Sequence, residues 1–283
     1  MKAPPGYELG AAYAEDRTGV LYRAVQTNLD RPVTLKMLAE DKGEDSHAIA
    51  LFIKEISIVA SLEHRNLLLA VDTGTVEGRP YLVTESTAEP TLAEALKAGE
   101  PLPEPRAAAI ALGLMRAIHH LETKAFLYKN LRPANVLLPR PAAPKLVTFR
   151  NIKPVTQASE LRRSNVQSAA YCAPELVRED LGPVSARAGV YAVGAMLYQM
   201  VSGAPAVEGP SAEVRRAHAA GKVPDLKSRC PRLRSKTHAL VARLMAHDPV
   251  ERPNPASAVA LLESLASEPM LHAPVAHRRR RRR

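Results

Sequence analysis

Tryptophan is absent, phenylalanine occurs three times, and aromatic residues make up only 4% of the 283-residue chain. So few rings leave little for stacking on nucleic-acid bases. Cysteine is nearly as scarce. Cys172 and Cys230 lie far apart and lack metal-ligand spacing, so neither a disulfide framework nor a zinc site is expected, and a reduced, cytosolic compartment is. Long apolar runs are missing too. No stretch approaches the roughly 18 residues that span a bilayer, and the opening M-K-A-P-P leads into no apolar segment, so no signal peptide is expected. What is present is ordinary for a globular protein: 46% apolar and 24% charged residues, enough for a substantial core.

The formal charge of +10 misleads, because six of the 39 basic residues are the terminal arginines from Arg278 to Arg283. Without them the balance is 33 basic against 29 acidic residues, and the body is only mildly cationic.

The first third reads as strands around one helix. Residues 20–25 and 33–38 are β-prone, joined by a turn-like segment at 27–32, and residues 67–71 and 81–84 are two further strand candidates. Between them, Ile49, Phe52, Ile53, Ile56, Val59 and Ala60 recur at helical spacing within residues 46–62. Past residue 90 the texture turns helical, with helices expected over 105–123, 190–201, 235–246 and 255–266. Residues 190–201 are almost wholly apolar but too short to cross a membrane, which predicts a helix buried on all sides and capped by Gly203. A hinge is expected at 85–91, and clefts between lobes are common ligand sites.

Asn130-Leu131-Arg132-Pro133-Ala134-Asn135-Val136-Leu137-Leu138 resembles, without a gap, the catalytic loop H-R-D-L-K-P-x-N-V-L-L of protein kinases. Further matches follow in the family's order. Val33-Thr34-Leu35-Lys36 is similar to V-A-I-K, with Glu55 in the next helix where the lysine's partner sits. His64-Arg65-Asn66-Leu67 resembles H-P-N-I, and Tyr81-Leu82-Val83-Thr84-Glu85 the strand entering the hinge. Ala173-Pro174-Glu175 resembles A-P-E, and Asp248-Pro249-Val250-Glu251-Arg252-Pro253 resembles D-P-x-x-R-P. The resemblance covers about residues 7–266 and is nearest to the eukaryotic-like Ser/Thr kinases of bacteria. It implies an α+β, bilobal kinase-like fold: a small β-rich lobe over 1–85, a larger helical lobe over 86–268, and a disordered basic tail over 269–283.

The resemblance also implies a parts list for phosphoryl transfer, which is a general template for this family. The three glycine positions of the phosphate cradle fall on Ala14, Asp16 and Gly19, so one survives, and Asp16 would repel a polyphosphate. A plain strand–turn–strand is the alternative reading of this segment. Lys36 and Glu55 are retained, as is Glu85 at the hinge. Tyr128-Lys129-Asn130 replaces H-R-D, so the carboxylate that takes the substrate's proton becomes an amide. Lys129 lacks the planar fork of Arg. Thr148-Phe149-Arg150 replaces D-F-G, leaving Asn135 as the surviving side-chain metal ligand and Phe149 as a packing residue. Gly189 stands where the family has an aspartate supporting the catalytic loop. Glu175 and Arg252, a buried ion pair in the family, are both kept.

These losses point to a pseudokinase, a binding, scaffold or allosteric module with a protein partner, doubtful ATP binding and no expected Mg²⁺. The rival is an active Ser/Thr kinase with atypical residues, which would need Asp16, Glu55 or Glu85 as its metal carboxylate. The activation segment, residues 151–171, offers Thr156, Ser159, Ser164 and Ser168 as phosphoacceptors, or is simply a solvated loop. Phe126, Phe149 and Tyr128 around the catalytic loop are too few for a nucleic-acid platform. The arginine tail would meet an anionic membrane surface, placing the protein at the membrane periphery, or nucleic acid, or solvent alone.

Overall fold

The computed structural model describes residues 2–15, 18–139, 143–147, 151–163 and 168–267. Strands β1 (Tyr7–Glu15), β2 (Gly19–Gln26), β3 (Arg31–Leu38), β4 (Ala70–Val76) and β5 (Arg79–Glu85) form one antiparallel sheet in the spatial order β1-β2-β3-β5-β4. Strand alternation sorts the central strand. Val33, Leu35 and Met37 of β3 pack with Tyr7, Ala24, Val76, Tyr81 and Val83 on one face. The intervening Thr34 and Lys36 are nevertheless buried as well, so both faces are covered.

Helix α1 (Ser46–Ala60) enters between β3 and β4. Its start is set by Asp45, whose carboxylate accepts from the N–H groups of His47 and Ala48. Phe52 of its inner face joins Leu38 and Ala48. The strand expected at 67–71 is displaced: β4 starts at Ala70. Leu67 and Leu68 are instead buried in a linking segment, where Leu68 N–H donates to the Leu146 carbonyl and Leu146 N–H to that of Asn66. The apolar run is there to dock one lobe on the other.

The second lobe is helical: α2 (Leu92–Ala95), α3 (Glu104–Thr123), α4 (Ser159–Arg163), α5 (Arg187–Ser202), α6 (Ser211–Ala219), α7 (Leu226–Arg229), α8 (Ser235–Leu244) and α9 (Pro255–Ser267). Two small ribbons, β6 (Phe126–Tyr128) with β9 (Ile152–Pro154) and β7 (Val136–Leu137) with β8 (Lys145–Leu146), lie at the lobe boundary. Helix α5 is buried on nearly every side against α3 and α8, as its composition predicts. It ends at Gly203, with φ of 81°, where a Cβ would also strike the Gly99 carbonyl. The fold is the expected bilobal α+β arrangement. Among the described residues no helix is long and apolar enough to cross a membrane.

Candidate functional site

The cleft between the lobes collects most of the singled-out residues. Lys36, fully buried, donates from Nζ to Glu55 Oε1 at 2.7 Å and to Thr18 Oγ1 at 3.0 Å, and Thr18 donates on to Glu55 Oε2. The ammonium also lies 5.4 Å from the Phe52 ring centre. Strand β3 and helix α1 are thereby joined through a charge pair shielded from water. Gly19 has a packing reason to be glycine. It pairs with Leu38 across β2–β3, and a Cβ there would lie 2.3 Å from the Met37 carbonyl oxygen and 3.0 Å from the Phe52 ring. Its survival needs no phosphate to explain it.

The connection after β5 is closed upon itself. Glu85 accepts from Lys145 Nζ at 2.8 and 2.6 Å and from Leu69 N–H at 3.2 Å, so its side chain bridges the lobes. Its carbonyl accepts from Thr84 Oγ1. Thr87 N–H donates to Thr34 Oγ1 at 3.0 Å, and the Thr87 hydroxyl lies 2.9 Å from Thr34 Oγ1 and 2.6 Å from the Tyr13 hydroxyl. A strap of three hydroxyls therefore runs from β1 across β3 to the connection. Behind it, Leu21, Val147 and Ala70 pack with Val59, Leu68, Leu82 and Leu137. A cavity of about 740 Å³ opens in front of the strap, lined by Leu9, Tyr13, Arg23, Thr34, Thr87 and Pro90 among others. Lys36, Asn130 and Asn135 take no part in its lining.

The catalytic-loop segment hangs from β6. Tyr128 is buried and its hydroxyl donates to the Val147 carbonyl at 2.6 Å, while burial pushes its pKa up, so it stays neutral. Asn130 adopts φ of 60°, a left-handed conformation that Asn and Asp tolerate better than other side chains. Asn135 Nδ2 donates to the Asn130 carbonyl at 2.9 Å, which closes the loop. Asn130 Oδ1 is buried without a hydrogen-bond partner. Arg132 reaches the activation segment at Ser168, 3.4 Å away. Asp16, Thr148, Phe149, Arg150, Ser164 and the arginine tail lie outside the described residues.

A divalent cation such as Mg²⁺ takes hard oxygen ligands, several of them anionic. Glu55 and Glu85, the two described carboxylates put forward for that role, are each engaged by a lysine. Among the described residues no group of three His, Cys, Asp or Glu side chains could hold a metal ion. Asn135 contributes at most one neutral oxygen. The described donor set does not fit Mg²⁺.

The frame around the cleft is firmly built. Arg252 and Glu175 are both buried and bond through two oxygens at 2.7 and 2.9 Å. The remaining guanidinium protons reach the carbonyls of Ala246, Arg187 and His247, and the group lies 4.7 Å from the Tyr191 ring centre. At Gly189 a Cβ would come within 3.0 Å of an Ile118 methyl, so Ile118 has taken the space a longer side chain would need. The activation segment is only partly the loop that its polar sequence suggests. Leu161 is buried, and Arg162 donates to the carbonyls of Glu175 and Gly182. His64 stacks on His120 with ring centres 4.9 Å apart, and Asn66 Nδ2 donates to the Pro144 carbonyl, which anchors the motif between α1 and β4. Thr18, Tyr13, Thr87 and Lys145 were not singled out by sequence. The one signal available was Thr34 itself, a hydroxyl where V-A-I-K has a methyl.

A buried lysine on the third strand answered by a glutamate on the following helix, above a helical lobe carrying its own buried Arg–Glu pair, is a protein kinase framework. A family model described as protein kinase domain matches residues 15–262, and the chain belongs to that family. Serine/threonine-protein kinases of bacteria are among the curated relatives. The DNA damage-responsive serine/threonine-protein kinase RqkA of Deinococcus radiodurans is 30% identical over 266 residues, 92% of this chain and 39% of that protein. PknL of Mycobacterium tuberculosis is 29% identical over 265 residues, 93% of this chain and 66% of its own length. PknB of Mycobacterium leprae is 27% identical over 221 residues, 75% of this chain and 35% of that kinase. The chain thus spans from about a third to just under two-thirds of these relatives.

Proposed function

We propose that this kinase domain works as a pseudokinase: a binding or allosteric module in signalling with little or no phosphotransfer. The observation that carries the reading is Asn130, an amide at the position of the proton-accepting carboxylate. An amide accepts a hydrogen bond but takes up no proton at neutral pH, and losing a general base costs on the order of 10²–10⁴ in rate. Two arrangements support the reading. Glu55 and Glu85, the two described carboxylates that could carry metal, are paired with lysines. The Thr87 N–H, a donor beside the cavity in front of the strap, is spent on Thr34 and is not free for a ligand there. Lys36–Glu55 and Glu175–Arg252 then serve to hold the lobes in shape for a protein partner.

The test is transfer of label from γ-labelled ATP to a generic basic protein by purified material. No product above background is expected, and metal-dependent labelling that Lys36→Ala abolishes refutes the proposal. A thermal-shift titration with ATP, with and without Mg²⁺, distinguishes an inert module from a nucleotide-switched one: stabilisation without metal dependence identifies the latter.

A further inference from the structure

A second cavity, of about 230 Å³, lies within the helical lobe, far along the chain from the cleft residues. Its walls come from α5, α6 and α8, with Val223, Leu226, Val241 and Met245 giving an apolar lining. Five polar side chains also line it: Tyr191, Tyr198 and His218, each buried, half-buried His247, whose Nε2 lies 2.9 Å from the Ala219 carbonyl, and exposed Asp225. Tyr191 and His218 satisfy one another, with the hydroxyl 2.7 Å from Nδ1. Two atoms have no partner, His218 Nε2 and the Tyr198 hydroxyl. A buried polar atom left unpaired costs about 1–3 kcal/mol, and two such atoms on one cavity call for an explanation.

Burial holds the His218 pKa down to about 4, so the ring is neutral at physiological pH. Burial raises the Tyr191 pKa, which keeps its hydroxyl protonated. With His218 Nδ1 the hydrogen-bond partner found for that hydroxyl, Tyr191 donates to it and the ring proton sits on Nε2. The cavity therefore presents one N–H donor and one hydroxyl against apolar walls. Gly221, Pro224, Asp225 and Ala242 line it while remaining exposed, and they mark its mouth.

We propose that this cavity binds a small neutral amphiphile, an aromatic or alicyclic body carrying a carbonyl or hydroxyl oxygen that accepts from His218 Nε2–H while a polar atom pairs with Tyr198. The volume is below the usual range of drug-sized sites, roughly 300–1,000 Å³, so the ligand is of fragment size. Pro174 lines the same cavity beside Glu175, and Tyr191 lies under Arg252, so an occupant touches the anchor of the activation segment. This site is independent of whether the cleft transfers phosphate.

The test uses the full 283-residue chain with benzamide as probe and toluene as the analogue lacking an acceptor. Saturable benzamide binding is expected by ligand-observed NMR, with toluene at least tenfold weaker. Tyr198→Phe removes only an unpartnered oxygen, so it should fold with an unchanged or raised melting temperature and bind benzamide about tenfold more weakly, the worth of one hydrogen bond. Ala242→Phe, at an exposed position, should block the mouth without touching the core. Absence of saturable binding, equal binding by both variants, or a crystal soaked in benzamide that shows only ordered waters on His218 and Tyr198 would overturn the proposal.

Discussion

Replacing Thr34 by alanine tests whether the strap across the cleft keeps a nucleotide out. The Thr87 N–H can donate once, and it donates to Thr34 Oγ1 at 3.0 Å with Thr34 only 2% exposed. A base that takes this donor must break that bond before it can form its own. Such a bond is worth about 0.5–1.5 kcal/mol net, so Thr34→Ala should tighten nucleotide binding about two- to twelvefold. Tyr13→Phe removes the hydroxyl 2.6 Å from Thr87 Oγ1 and should add a further gain. Because both side chains meet on Thr87, the double variant should fall short of the product of the single effects. The assay is calorimetric titration with ATP and, separately, adenosine, both in EDTA so that metal contributes nothing. Adenosine should show the same relative gain as ATP, since the strap opposes the base and leaves the phosphates untouched. An unchanged affinity in Thr34→Ala, or micromolar binding by the unaltered chain, would refute the reasoning.

Four other outcomes are expected. Glu175→Gln removes the counter-charge of a buried guanidinium and should cost about 3–5 kcal/mol in urea unfolding; a loss below about 1 kcal/mol would contradict the burial of the pair. Asn130→Asp should fold normally, because aspartate tolerates the left-handed conformation, and should still transfer no label for want of a metal carrier; labelled product from this single change would show that metal is carried after all. His218 has its folded pKa below the unfolded value, so the unfolded chain binds more protons between about pH 6.5 and 4 and stability falls as pH drops through that window. The loss should approach about 2–3 kcal/mol, and His218→Asn, whose amide oxygen can still accept from Tyr191, should flatten that part of the profile; parallel profiles for the two chains would refute it. Deleting residues 278–283 should abolish salt-sensitive binding to duplex DNA or anionic vesicles, a slope near −5 on DNA if all six arginines engage; equal, salt-insensitive binding before and after would leave the tail without that role.

Linear motifs carried the legible part of the molecule. Lys36, Glu55, Glu175 and Arg252 could be paired from sequence because each stands in a recognisable short string, and the structure brings each pair within 2.7 Å. Helix α1 showed its apolar period, α3 and α5 their helical or apolar composition, and Gly203 its cap. Helix α6 did not, because Glu213, Arg215 and Arg216 hide the few positions, Val214, His218 and Ala219, that it buries. The strap was beyond reach for a different reason. Tyr13 and Thr87 are 74 residues apart, Thr34 and Thr87 are 53, and Glu85 and Lys145 are 60. Hydroxyls and a lone lysine carry no periodic signal that would pair them over such distances. Leu161 and Arg162 were obscured likewise, one apolar residue and one cation in a stretch that reads as solvated.

Binding sites are places where a protein leaves polar groups waiting for a partner, because every buried donor satisfied from within has to be freed before a ligand can use it. By that criterion the cleft and the helical-lobe cavity have changed places. Around the interlobe cleft, Lys36 is held by Glu55 and Thr18, Glu85 by Lys145, and Thr87 by Thr34, so these polar groups are satisfied from within. Gly19 and Gly189 fit the same logic, since β3 and Ile118 lie close against them and a larger side chain would displace its neighbours. Asn130 Oδ1 is buried there without a partner, and as an amide it can accept a hydrogen bond but cannot draw off a proton. In the helical lobe the reverse holds, with two unpaired polar atoms set in apolar walls beside the buried Arg252–Glu175 pair. A ligand that stabilises this chain should therefore act through α5, α6 and α8 before it acts through the cleft.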